Sequence, residues 1–271
     1  MSANGLVVVP KLRILSLGWG VQSWTLAAMM ALGEMEPVDF AVFADTGWEH
    51  SATYAHATKW TPWLEQRGVK VRVVQSKRTD VVREDWSGTT MIPAFSVDRV
   101  TGEAGQIKRQ CTHDWKIMPV RAFIRGVLKE RGLAAAPGRV ELLMGISLDE
   151  WHRMRSSDVR YIGNRYPLVD RRITRADCVR WLGIHGLEVP AKSSCVFCPY
   201  QARQAWRDMK RQDGSDWAVA VQIDTDIRER RAKHLLYVHP ARVPLAQAVR
   251  IPEDEGAHQL EMGCDGGVCF V

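Results

Sequence analysis

Residues 12 to 30 restrict the fold more than any other part of the chain. Leu12-Arg13-Ile14-Leu15-Ser16-Leu17 is an apolar run of strand length. It breaks at Gly18-Trp19-Gly20, and Val21-Gln22-Ser23-Trp24-Thr25-Leu26-Ala27-Ala28-Met29-Met30 follows with good helix propensity. A strand, a tight loop and a helix in that order make an anion site. Glycines let the backbone approach a phosphate with no Cβ in the way, and the first N–H groups of a helix sit unpaired at the positive end of its dipole. Ser23 stands where the helix begins, so its hydroxyl either caps the helix or bonds a phosphate oxygen. A Walker loop is excluded, because no Gly-Lys-Ser/Thr follows and Gln22 precedes Ser23. A dinucleotide fingerprint accounts for Gly18-x-Gly20 and for Asp45 near the end of the next strand, but Ser23 occupies the place of its third glycine. For this segment alone, a glycine-rich turn that binds nothing stays open.

The following segments continue an α/β pattern. Val38 to Phe43 reads as a buried strand ending in Ala44-Asp45-Thr46-Gly47, and functional groups in open α/β sheets gather at the carboxyl ends of strands. Asp45 and Thr46 are therefore expected beside the first loop; the alternative is a turn that Asp45 caps. Ala52 to Arg67 reads as a helix bent or interrupted near Pro62, and Val69 to Val74 as a third strand. From Ser76 to Gln110 the pattern dissolves into Gly, Pro, Ser and charge, which predicts a mobile flap. Lys108 and Arg109 precede Cys111, and Lys116 follows it; a basic run beside a thiol lowers its pKa and attracts phosphate or sulfate, whereas an inert buried thiol is the plain alternative. Pro119 opens a helix running to Lys129. Val140 to Met144 is a strand that closes at Gly145, with Arg153 or Arg155 beyond it either clamping a phosphate or starting an exposed charged helix.

The last third is less regular. Thr174 with Asp177 makes a capping-box start to a helix ending near Gly186. Pro199 is expected to start a helix carrying Arg203, Arg207, Lys210 and Arg211, and Ser215 to cap another. With Trp206 and Trp217 interleaved, these cations suit a nucleic-acid surface, while the acids mixed among them suit a solvated face. With 37 basic against 31 acidic residues, a net charge of +6 favours anionic partners. The apolar stretch Leu6-Val7-Val8-Val9 is too short for a signal peptide, and no run is long enough to cross a bilayer. A cytoplasmic, membrane-free protein is expected, in which six cysteines serve as metal ligands or catalytic thiols rather than disulfides.

Cys195-Val196-Phe197-Cys198 followed by Pro199 is a local chelate, since two intervening residues let both sulfurs grip one centre. Its candidate partners are Cys111 and the pair Cys264 and Cys269; Cys178 lies within a helical pattern and reads as core. Four thiolates suit structural Zn²⁺ or a four-iron cluster, and spacing does not choose between them. A thioredoxin-type pair fits poorly, because no βαβ start surrounds Cys195 and Cys198.

Gly18-Trp19-Gly20-Val21-Gln22-Ser23 resembles the pyrophosphate loop of the PP-loop ATP pyrophosphatases (adenine nucleotide alpha hydrolase-like), in particular the phosphoadenosine phosphosulfate reductase-like branch. Asp45-Thr46-Gly47-Trp48-Glu49, Cys111-Thr112 with Trp115 to Pro119, and Ser194 to Tyr200 fit that branch in order. The loop departs from the usual Ser-Gly-Gly-x-Asp-Ser: Gly18 stands for the first serine, Trp19 for a glycine and Gln22 for the aspartate. Where many relatives have two adjacent cysteines, this chain has Cys111-Thr112.

The resemblance implies a Rossmann-like parallel sheet with helices on both faces over residues 1–172, followed by a mainly helical, cysteine-containing region over 173–271. It implies ATP and Mg²⁺, with nucleotide contacts from Ser16, Gly18, Trp19, Gly20, Gln22 and Ser23 in the loop, from Asp45 and Thr46 in the adenosine pocket, and from Gly145 and Arg153 beyond the later strand. A [4Fe–4S] cluster on Cys111, Cys195, Cys198 and Cys264 is the corresponding metal site, with Cys269 interchangeable with Cys264. Ser23, Gln22 and Lys116 are the candidates for ATP chemistry, and Cys269 for carrying sulfur.

The expected function is ATP pyrophosphatase activity coupled to sulfur transfer. It would adenylate and thiolate an acceptor, a tRNA base or the DNA backbone, with sulfur from a donor such as a cysteine desulfurase. A sulfonucleotide reductase acting on adenylyl sulfate or its 3′-phosphorylated form is the second reading, weakened because no histidine follows Cys264-Asp265-Gly266-Gly267-Val268-Cys269. A non-catalytic nucleotide and nucleic-acid binding module is the third. Whether the chain works as a homodimer is left open.

Overall fold

The computed structural model describes residues 11–77, 92–212 and 214–250. In chain order its elements are β1 (Leu12–Ser16), α1 (Val21–Ala31), β2 (Phe40–Asp45), α2 (Ser51–Gln66), β3 (Val71–Gln75), β4 (Phe95–Asp98), β5 (Ala104–Gln106), a π-helical turn (Thr112–Ile117) and α3 (Met118–Glu130). Then follow β6 (Val140–Met144), a 3₁₀ turn (Leu148–Arg153), β7 (Ile162–Arg165), α4 (Pro167–Asp170), α5 (Arg175–Ile184), α6 (Arg203–Gln212), α7 (Ser215–Ile227), β8 (His234–Tyr237) and α8 (Leu245–Ala248). The chain divides into two compact units, Met1–Ala44 with Ala55–Val74 and Pro119–Lys192, and Asp45–Tyr54 with Gln75–Met118 and Ser193–Val271. α5 belongs to the first unit, and the second draws on three separate stretches. A linker signal in composition marks one crossing of the chain, and an interleaved chain has several.

The first unit is α/β, built on a five-stranded parallel sheet of order β3-β2-β1-β6-β7. Leu12 and Ile14 of β1 pack with Val120, Ile124, Val127 and Leu128 of α3. Alternation along the strand turns Arg13 and Leu15 to the opposite face. On that side α1 is buried from Val21 through Met30 and packs against α5. Thr174 and Asp177 cap α5 reciprocally, as their spacing predicts, and Gly186 follows its end at φ +63°. Ser51–Gln66 is a single helix that contains Pro62, rather than one interrupted there.

Strand order places the anion loop. The chain runs outward from β1 to β2 and β3, then returns to the other side of β1 as β6, which pairs with β1 from Leu12↔Val140 to Ser16↔Met144. Sheet order thus reverses between β1 and β6, and crevices beyond the carboxyl ends of strands at such a point are where open α/β sheets bind ligands.

The second unit has its own antiparallel sheet, β5-β4-β8, over a core that includes Trp115, Phe197, Trp206, Trp217 and Ile223. Buried Asp224 fastens it: its carboxylate accepts from the N–H of Val238 and of Leu245, each at 2.9 Å, and pairs with Arg228. The flap expected from Ser76 to Gln110 is replaced, where it is described, by an ordered hairpin. Phe95-Ser96-Val97-Asp98 pairs with β8, and Asp98 closes the turn by accepting from Val100 and Thr101; residues 78–91 lie outside the described residues. A four-residue strand whose partner is over 130 residues away leaves too short a local pattern to read. Two helix starts also shift: Gly214, not Ser215, is the N-cap of α7, and α6 begins at Arg203, beyond Pro199. Among the described residues no helix is long and apolar enough to cross a membrane.

Candidate functional sites

In the first unit, β1 leads through Leu17, Gly18, Trp19 and Gly20 into α1. Trp19 has φ +56°, a conformation that costs a residue with a Cβ on the order of 1–3 kcal/mol. Burial of its indole offsets that cost: Trp19 is 1% exposed and packs at 5.9 Å from Trp24 and 5.8 Å from His56. The bulky residue standing where the loop pattern has glycine is therefore a core residue, and only its backbone remains for a ligand. Ser23 caps the loop rather than the helix, since its Oγ accepts from Gly18 N at 3.2 Å and donates to Gly20 O at 3.3 Å. Gly20 is the N-cap and no side chain caps α1, so helix geometry leaves the N–H groups of Val21, Gln22 and Ser23 without intrahelical acceptors. Ser16 lies in the ladder, opposite Val42 and Met144.

Gly145 serves this loop by making room for it. A Cβ there would stand 2.7 Å from Ser23 N and 2.8 Å from Ser23 Cα, so the end of β6 and the first turn of α1 approach as closely as they do only because residue 145 has no side chain. Gln22 sits in a polar net: its Oε1 accepts from Arg175 Nη1 at 3.1 Å, and its Nε2 donates to Glu150 at 3.1 Å and Ser147 at 3.4 Å. Arg153 donates to the same Glu150 carboxylate at 2.6 Å. Arg153 is thus paired with Glu150, while Arg175 reaches Gln22 and interacts with neighbouring Asp149, so a charged and polar net of both signs stands beside the N-terminus of α1. Arg175, Glu150 and Ser147 had carried no signal in the sequence, because nothing local ties them to Gln22.

The second unit gathers the thiols. Cys111 is the N-cap of the π-helical turn that carries Lys116, and Cys195 and Cys198 flank a tight turn closed by Cys198 N donating to Cys195 O at 3.0 Å. Cys111, Cys195, Cys198, Thr46, Lys116 and Arg109 line one cavity. Thr46 Oγ1 lies 3.4 Å from Cys195 Sγ, and Lys116 Nζ donates to Glu49 Oε1 at 3.0 Å. The Glu49 side chain is 1% exposed, and its Oε2 is buried with no partner among the described residues. Burial and then the Glu49 charge push the Cys195 thiol up, against the pull of Lys116 and Thr46. A thiolate there would need further positive charge, of the kind a metal ion supplies.

Asp45 is occupied as a turn anchor. Tyr54 Oη donates to its Oδ1 at 2.7 Å, Gly47 N to the same oxygen at 2.8 Å and Gln75 Nε2 to Oδ2 at 2.7 Å. Gly47, at φ +75°, supplies the left-handed residue that this turn requires. Cys178 is fully buried, its thiol pushed up to about 11 by burial, in keeping with a core residue. Cys264 and Cys269 lie outside the described residues. Three cysteines at one cavity match the donor chemistry of a cluster or of zinc. Among the described residues no three His, Cys, Asp or Glu side chains form a group able to hold a metal ion.

No model of a known family matches the chain, and no curated protein matches it. Among solved structures it is similar to a phosphoadenylyl-sulfate (PAPS) reductase from Candida auris in a phosphate complex, at 14% identity and TM-score 0.42 over 68% of this chain and 78% of that one. It is also similar to the U34-tRNA thiolase NcsA from Methanococcus maripaludis with its [4Fe–4S] cluster, at 15% identity and TM-score 0.44 over 82% of this chain and 74% of that one.

Proposed function

We propose that this chain is a PP-loop ATP pyrophosphatase, of the branch that resembles phosphoadenosine phosphosulfate reductase, and that it couples ATP cleavage to sulfur transfer onto a nucleic acid. The observation that carries the sulfur half of this reading is the gathering of Cys111, Cys195 and Cys198 with Lys116 around one cavity, Cys195 lying 84 positions after Cys111. Support for the nucleotide half comes from the uncapped first turn of α1, standing where the sheet order reverses.

In this mechanism the N–H groups of Val21, Gln22 and Ser23 hold the triphosphate, and Arg153 and Arg175 add charge beside them. Mg²⁺, when bound with the triphosphate, would supply further positive charge there. An acceptor oxygen attacks the α-phosphorus, the bond to the bridging oxygen breaks, and pyrophosphate leaves. Hydrosulfide, released from the persulfide of a donor such as a cysteine desulfurase by a thiol that takes up the other sulfur as a disulfide, then attacks the activated atom, and AMP leaves with the acceptor oxygen. The chain's own part is positioning and charge neutralisation, and Lys116 is the cation held at the thiol cavity by buried Glu49. Cys111, Cys195 and Cys198, with Cys264 as fourth ligand, would hold a [4Fe–4S] cluster. When bound, such a cluster supplies an iron site for sulfur.

Anaerobically purified protein given ATP with RNA or DNA is expected to release pyrophosphate, and the same sample given adenylyl sulfate to release no sulfite. Sulfite would replace this reading with the reductase, and ATP binding without any product would replace it with a binding module. Iron, zinc and acid-labile sulfide analysis of wild type and Cys195→Ser tests the metal: iron and sulfide lost together in the variant support the cluster.

A further inference from the structure

A second cavity, of about 350 Å³, lies elsewhere in the second unit, lined by Arg203, Trp206 and Arg207 of α6, His239 after β8, and Val249 and Arg250 after α8. Among the described residues no carboxylate lines it. Arg203 and Arg207 are four apart on one helix face, an arrangement of like charges that disfavours the helix unless an anion lies between them. Among the described residues neither arginine, nor Arg250, has an acidic partner; the neighbouring Asp208 is engaged by Arg211 at 3.5 Å and by Gln204 at 2.8 Å. Trp206 is 1% exposed, and its Nε1–H is buried without an acceptor among the described residues. His239, ring to ring with Trp206 at 6.4 Å, accepts from Ala241 N through Nδ1 at 3.2 Å. In the neutral ring this leaves Nε2–H as a donor, and burial, with Arg203 next, holds the pKa of His239 below its usual value. Lys210 pins one wall by donating to Ala246 O and Val249 O.

We propose that this cavity takes a backbone phosphate of the nucleic-acid acceptor, through Arg203, Arg207 and Arg250 and the buried N–H of Trp206. The proposal rests on the acceptor class assigned above. Guanidinium groups bind phosphate by paired N–H donors, and a desolvated indole N–H without an acceptor is costly to keep unless a ligand oxygen meets it. The cavity's volume falls within the range of small-ligand sites.

Fluorescence anisotropy of the full chain with a fluorescein-labelled RNA oligonucleotide, and with DNA of matching sequence, reads the proposal over a series of salt concentrations. Arg203→Ala combined with Arg207→Ala should weaken binding roughly ten-fold and lower the slope of log K against log salt by about 0.7, from one phosphate contact on a single strand. The paired Lys substitutions should keep most of that slope. ATP binding measured by calorimetry without nucleic acid should be unchanged, since neither arginine belongs to the ATP site. Unchanged affinity and slope for both strands overturn the proposal, as does a wild-type chain that binds neither. A double variant that loses inorganic phosphate in calorimetry yet keeps full affinity for the strand also overturns it, making the cavity a free-phosphate site. If the wild type releases no pyrophosphate but the double variant still loses the strand, the cavity stands and the catalytic reading falls.

Discussion

Replacing Gly145 by alanine is expected to do damage out of proportion to one methyl group. The backbone of Gly145 lies outside the left-handed region, so alanine can adopt its conformation and the cost is purely one of space. The new Cβ would stand 2.7, 2.8 and 3.0 Å from the N, Cα and Cβ of Ser23, all within or next to the backbone, so no flexible side chain can swing away. Restoring ordinary contact near 3.4 Å moves the first turn of α1 by roughly 0.7 Å. Overpacking of this kind costs about 1–3 kcal/mol, and a backbone obstacle argues for the upper half of that range. In a chain of this size, about 2–3 kcal/mol lowers the melting temperature by roughly 4–12 °C. The same shift displaces the N–H groups that would hold the triphosphate, which is expected to cut ATP turnover about ten- to a hundred-fold. Gly163 of β7 is the control, because a Cβ there meets only Val140 O at 3.8 Å, and Gly163→Ala should change stability by less than about 1 kcal/mol. Urea and thermal unfolding followed by tryptophan fluorescence, with pyrophosphate release on the same samples, give the comparison. Equal melting temperatures for Gly145→Ala and wild type, or an equal loss in Gly163→Ala, would refute the close-packing argument.

Lys116→Gln leaves Glu49 buried without its cation and should destabilise the chain by about 3 kcal/mol, whereas adding Glu49→Gln should recover most of that loss; a double-mutant cycle in urea that shows simple additivity would contradict the pairing. His56 is buried against Trp19 and Trp24, and desolvation lowers its pKa from 6.5 to about 4, so the folded state prefers the neutral ring. Its contribution is therefore fully present above pH 6.5 and is lost as pH falls from there toward 4, by up to ~3 kcal/mol. Denaturation midpoints of wild type should drop between pH 7.5 and pH 4.5 by more than those of His56→Phe; parallel drops would remove His56 as the cause.

The features legible in the linear chain are those whose cause lies within a few residues. The run from Leu12 to Met30 declares strand, loop and helix by hydrophobicity, glycine and helix propensity, and the sheet that results is the expected α/β one. Thr174 and Asp177 announce their helix start because a capping box is closed by residues three apart. The turn between Cys195 and Cys198 is local in the same sense.

Only the tertiary structure decided which distant groups meet. Trp19 stands in the place of a loop glycine, yet its ring enters a cluster with Trp24 and His56 that pays for its left-handed backbone. Gln22 acquires Ser147, Glu150 and Arg175 from more than 120 residues away, Gly145 is read as space for Ser23, and Lys116 is tied to Glu49 across 67 residues. The division into interleaved units and the pairing of Phe95–Asp98 with His234–Tyr237 belong to the same class. Propensity and capping act through neighbouring residues and so are written along the chain. Burial, close approach and ion pairing depend on which segments the folded sheets bring together, and that is set by the packing of the whole molecule.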